Sequence, residues 1–89
     1  MRHSATAGFW KEYQALSLQI RNRADNKFLL LKADTQHPSL QFKKVGERHG
    51  EEMWSARVTL SYRALAIKRS YGYLWFWIGD HETYEFLIS

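Results

Sequence analysis

Arg57, Arg63, His81 and Tyr84 lie in the last third of an 89-residue chain. Two guanidiniums can grip a phosphate with forked donors. An imidazole takes or gives a proton near neutral pH. A phenol can stack on a base or hydrogen-bond a phosphate oxygen. These residue types are equipment for RNA cleavage without a metal, in which the RNA's own 2′-hydroxyl attacks the adjacent phosphate. The chemistry needs a base, an acid and positive charge on the developing phosphorane. Lys43, Lys44 and Lys68 are further cations for a phosphate backbone.

The residues can act together only if the elements between them bring them to one place. Leu40 and Phe42 alternate with Gln41 and Lys43, which predicts a first strand over residues 39–45. Residues 45–52 read as a polar loop with two glycines. Trp54, Ala56, Val58 and Leu60 alternate with polar neighbours and predict a second strand. Residues 62–69 and 73–79 read as the third and fourth, the last apolar on both faces and therefore central or covered. Asp80 is suited to cap a final helix over residues 81–88. A turn around Leu60 and Ser61 places Arg57 opposite Arg63, a pairing of like charges that is unfavourable unless something anionic sits there. A turn around Tyr71 places Arg63 opposite Gly79, two residues before His81. Tyr84 follows His81 by three residues on the same helical face. The four residues are thus expected at one end of a sheet.

Upstream, Phe9, Trp10, Tyr13 and Leu16 form one helical face, and Ile20, Ala24, Phe28 and Leu31 a second behind a cap at Ser17. With almost nothing between them, these helices are expected to fold as an antiparallel hairpin. The expected class is α+β: an N-terminal helical hairpin packed on a four-stranded, mainly antiparallel sheet with a short C-terminal helix. The whole chain, 1–89, reads as one domain whose first seven residues fray.

Composition fits that scale. Four Trp, five Tyr and five Phe supply a core for a chain this short. There is no cysteine, so disulfides and thiolate metal sites are excluded, in keeping with a reducing cytoplasm. No His spacing suggests a metal, and no glycine motif suggests a nucleotide cofactor. No apolar run approaches the roughly 20 residues that span a bilayer. Residues 1–79 carry thirteen Lys/Arg against six Asp/Glu, whereas residues 80–89 carry three acids and no base. The basic body implies a polyanion or an acidic protein partner.

Each residue also has a plainer reading. Arg57 and Arg63 can pair with Glu82 or Glu85 and pin the last helix. His81 can be an exposed helix-start residue, and Tyr84 can pack on Trp77. Asp80 is read as a cap only, and Trp54, Trp75, Phe76 and Trp77 as core.

In order along the chain stand His37-Pro38-Ser39-Leu40-x-Phe42-Lys43, Trp54-Ser55-x-Arg57-Val58, Tyr62-Arg63-Ala64-Leu65 and Trp75-Phe76-Trp77-Ile78-Gly79-x-His81-x-x-Tyr84. This series resembles the RelE/ParE superfamily of toxins from bacterial type II toxin–antitoxin systems. The resemblance implies the same α+β fold and, for many members, a metal-independent endoribonuclease that cuts messenger RNA in the ribosomal A site. It implies a cognate antitoxin that covers the basic cleft, and operator DNA bound only through that complex. Arg63 matches the arginine that contacts the scissile phosphate, His81 the functional residue after the fourth-strand glycine, and Tyr84 a tyrosine of the last helix. The second strand here carries only Arg57 where some members place paired lysines, with Lys43 and Lys44 as substitutes on the first strand. Two other readings stay open: an inhibitor of DNA gyrase that is no enzyme, and a degenerate antitoxin-binding module.

Overall fold

Three short polar side chains start the three helices. Thr6 Oγ1 accepts from the Phe9 N–H (3.0 Å) and opens α1, Ala7–Ala15. Ser17 Oγ accepts from Ile20 N–H (3.3 Å) and opens α2, Leu18–Ala33. Asp80 Oδ1 accepts from Thr83 N–H (2.9 Å) and opens α3, His81–Ile88. Each cap satisfies an amide that the first helical turn leaves without a partner. Tyr13 donates to Asp25 (2.6 Å) and Arg21 to Gln14 (3.3 Å), contacts that fold α2 back along α1 as a hairpin. The structure, a computed structural model, describes residues 2–89.

The strands are β1, Arg2–Ala5; β2, Lys43–Arg48; β3, Glu51–Arg57; β4, Tyr62–Arg69; and β5, Gly72–Asp80. They form one sheet in the order β1-β5-β4-β3-β2, antiparallel except for the parallel β1–β5 pair. The α+β class is as expected, but the sheet has five strands where four were predicted.

The extra strand corrects the expectation of a frayed start. Arg2 to Ala5 pair in register with Gly72 to Trp75. Trp75 Nε1 donates to His3 Nδ1 (3.1 Å), and the His3 ring stacks on Tyr73 at 5.6 Å. Four residues whose partners lie some 70 positions away leave no periodic signal of their own. Met1 lies outside the described residues.

A second correction concerns residues 39–52. Pro38–Leu40 is one 3-10 turn, not strand, and the predicted loop is a hairpin. His49 and Gly50 both have positive φ (53° and 81°), the requirement of a two-residue primed turn. The Leu40–Phe42 alternation has another origin: Gln41 is left-handed (φ 44°, ψ 44°), and the residues on either side of it both pack into the core.

The sheet has two covered faces. Leu31, Leu40, Ala56, Val58, Ala64 and Trp75 pack under the helical hairpin. Met53, Leu65, Ile67 and Tyr84 pack under α3. Full burial of such a side chain contributes about 1.5–3 kcal/mol. A bulge in β5 inserts Phe76 between Trp75 and Trp77, so both Phe76 and Trp77 meet the α3 cluster while Trp75 meets the other. Thus Trp54, Trp75 and Trp77 pack in the core, as read from sequence, whereas Trp10 on α1 is half exposed. No helix among the described residues is long and apolar enough to cross a membrane.

Two predictions test the β1 docking. At Gly72 (φ +148°) an added Cβ would lie 2.0 Å from the Arg2 carbonyl oxygen. Gly72→Ala should therefore cost about 2–4 kcal/mol in urea unfolding, and wild-type stability would refute the close approach. Burial, then the amino terminus and Lys32, lowers the His3 pKa. The neutral ring thus favours folding above the ordinary histidine range, and that contribution is lost as pH falls through the lowered value. Stability should fall as the pH is lowered through and below the ordinary histidine range. His3→Gln, which keeps an acceptor for Trp75, should show a smaller drop.

Candidate functional site

The expected register is present. Arg57 is the direct partner of Arg63 across β3 and β4, and Arg63 is the partner of Gly79 across β4 and β5. Paired Cα atoms in such ladders are about 5 Å apart, so two guanidiniums leave the backbone side by side. The β3–β4 turn also holds the helix start, because the His81 N–H donates to the Ser61 carbonyl (2.8 Å). Sequence, turn and cap together put His81 at the same end of the sheet as the arginine pair.

Tyr84 organises the centre. Its hydroxyl donates to Ser55 Oγ (3.1 Å), and both residues are buried. The Arg63 guanidinium lies 5.4 Å from the centre of its ring, and the His81 ring lies 5.7 Å away. One aromatic ring thus carries a cation and an imidazole while its polar end is tied into the core. The phenol oxygen is directed to Ser55, so the ring is the part of Tyr84 offered to the site.

The cations here lack acidic partners. No carboxylate pairs with Arg57 or Arg63 among the described residues; the expected pairs with Glu82 or Glu85 do not form. Glu85 Oε1 instead meets His81 Nε2 at 3.2 Å. Arg63 Nη1 donates to Gln41 Oε1 (3.3 Å), and its buried Nε–H has no acceptor among the described residues. Arg57 also borders a cavity of about 160 Å³ beneath α2, whose wall includes Lys27. Burial, then Arg23 and Arg57, lowers the Lys27 pKa. Unpaired like charges at this density raise the local potential and favour an anion. Lys27, absent from the sequence-derived set, enters because α2 crosses this end of the sheet; its Nζ donates to the Ser39 carbonyl (3.1 Å).

Not all the expected cations share this face. Lys43 pairs with Ser55 and stands on the Tyr84 side. Lys44 pairs with Trp54, points to the opposite face and bonds Glu47 at 3.2 Å. Lys68 also lies on that opposite face, 5.6 Å over the Trp54 ring. Arg48, read as a loop residue, is on the Tyr84 face and covers Phe76 at 5.4 Å, toward the far end of the sheet. The His49-Gly50 dipeptide was the signal for it. Ser55 carried none, since a serine in a strand looks like any other polar alternation.

The platform has a measurable stability signature. Tyr84→Phe should cost about 1–2 kcal/mol in urea unfolding, because the buried Ser55 hydroxyl loses its partner. Tyr84→Ala should cost about 3–5 kcal/mol. A neutral Tyr84→Phe would mean that the phenol is not anchored.

A family model described as a ParE-like toxin domain matches residues 18–85. No curated protein sequence matches the chain. Three solved structures are similar in fold. The archaeal RelE–RelB complex from Pyrococcus horikoshii OT3 gives a TM-score of 0.68 at 13% identity, over 89% of this chain and 92% of that one. The RelB–RelE antitoxin–toxin complex from Methanococcus jannaschii gives 0.70 at 13%, over 97% and 99%. The YoeB/ParE toxin from Agrobacterium tumefaciens gives 0.67 at 15%, over 91% and 99%. The family match runs from α2 into α3 and takes in Arg57, Arg63, His81 and Tyr84, so the chain belongs to the ParE-like toxin domain family.

Proposed function

We propose that this toxin domain is a ribosome-dependent endoribonuclease that cuts messenger RNA in the A site and represses translation in the cytoplasm. The observation that carries the reading is the Arg57–Arg63 pair, without carboxylate partners among the described residues, at the end of the sheet where α3 begins and where Arg63 and His81 share the Tyr84 ring. Arg63 and Arg57 bind the scissile phosphate and neutralise charge on the phosphorane, the larger share of the catalysis. His81 moves the proton. Glu85 Oε1 stands 3.2 Å from His81 Nε2, so Nδ1 is the ring nitrogen without a side-chain neighbour of this kind among the described residues. Tyr84 contributes through its ring, which supports the guanidinium and the imidazole. Lys43 and Lys27 steer the RNA backbone toward them, whereas Lys44 and Lys68 lie on the other face and add only to the overall field. No step calls for a metal.

The partner in this reading is a cognate antitoxin, as in the two similar structures described as toxin–antitoxin complexes. An acidic or amphipathic segment of it would cover the arginine pair and so mask the site, and operator DNA would be met only through that complex.

Primer extension on messages from a translation extract tests the activity. Wild type should give cleavage in phase with codons. Arg63→Ala should lower it by roughly 10²–10³, as when a charge-stabilising donor is removed. His81→Ala should lower it by roughly 10²–10⁴. Intact RNA together with inhibition of gyrase supercoiling would overturn the proposal, as would undiminished cleavage by both variants.

A further inference from the structure

We infer that Gln41 is a positioning residue of the anion site, holding the Arg63 guanidinium in the orientation that meets a phosphate. The inference rests on the reading of Arg63 as a phosphate ligand. It starts from the backbone. Gln41 is one of two non-glycine residues with positive φ among the described residues (44°). The other, His49, serves a two-residue hairpin turn. Left-handed conformation is disfavoured for a residue with a long side chain, and it persists where the surroundings over-determine it.

Those surroundings are visible. Leu40 is fully buried on one side of Gln41. Phe42 on the other side packs 5.0 Å from both Trp54 and Tyr73. Pro38 starts the 3-10 turn, His37 Nδ1 accepts the Ser39 N–H (3.2 Å), and Lys27 holds the Ser39 carbonyl. The turn is therefore pinned from both flanks. The Gln41 side chain is itself exposed, and its polar partner is Arg63, 22 residues away.

The chemistry of the contact has one sense. Arginine only donates, so the Gln41 oxygen must face Nη1, and the amide nitrogen with two N–H groups is left unspent beside the guanidinium. With the Tyr84 ring on its other contact, Arg63 is held at two points. A fork fixed in this way loses less rotamer freedom when an anion arrives. Gln41 thus acts through Arg63 and is not itself a catalytic residue.

A purely structural role and a positioning role predict opposite signs. Gln41→Gly removes the amide and relieves the left-handed backbone, so thermal stability should hold or rise. Binding of a 2′-O-methyl RNA oligonucleotide, read by fluorescence anisotropy, should weaken by roughly three- to tenfold, the net scale of one ordinary hydrogen bond. The 15N relaxation of Arg63 Nε should show greater motion. Gln41→Asn tolerates the same backbone but is one methylene too short to reach, and should weaken binding likewise. Arg63→Ala is the control. If Arg63→Ala weakens binding while both Gln41 variants bind as wild type with Arg63 equally rigid, the inference is overturned alone. If Arg63→Ala binds as tightly as wild type, the phosphate reading is overturned and the inference with it.

Discussion

Arg57 and Arg63 face each other because β3 and β4 pair in a single register, and the site depends on that pairing. A one-residue slip would send one arginine to the hairpin face and drive apolar side chains into solvent. Ala56 and Ala64, the next pair along, are both buried beneath the hairpin, so the core enforces the alignment. The repulsion of two like charges is thus held in place by burial elsewhere in the same two strands. Because Gly79 is Arg63's partner on the other side, the register also fixes where β5 ends and where α3 begins.

From that point the helix has little freedom. Asp80 caps it, and Thr83 holds the Asp80 carboxyl below its ordinary pKa. The β3–β4 turn accepts its first amide, and Tyr84 reaches down to Ser55. An eight-residue helix is too short to be stable alone. Its docking on the sheet makes it stable, and the same docking seats Arg63 and His81 on one ring. The contacts that hold α3 to the protein and those that build the site are the same contacts. Fold and site therefore rest on one side chain: Tyr84 secures α3 on the sheet and carries Arg63, which has no carboxylate partner among the described residues.

Much of this was legible from residue order. The hairpin of helices, the Ser17 and Asp80 caps, the Arg57–Arg63 pairing and the placement of Arg63 opposite Gly79 follow from periodicity and turn chemistry. The errors have physical causes. The β1 strand is held by a partner at the other end of the chain, which no local pattern reports. The first strand was placed too early because Leu40 and Phe42 alternate across a left-handed residue. Arg48 was missed with the hairpin that carries it, since His-Gly is a less familiar primed turn than Asn-Gly. Lys44 and Lys68 were grouped with the site by charge, yet strand alternation sends them to the other face.

The sequence by itself determined which residue types are available, the strand phase that sets two arginines side by side, and the cap that starts the helix bearing His81 and Tyr84. These are short-range matters, governed by periods of 2 and 3.6 and by the geometry of turns. Only the tertiary structure decided what each polar group spends itself on. It tied the Tyr84 hydroxyl to Ser55, gave His81 to Glu85, left the arginines without acids and brought Gln41 and Lys27 to the rim. Those outcomes depend on which elements pack together across the chain, and packing, unlike periodicity, is not written in any one segment.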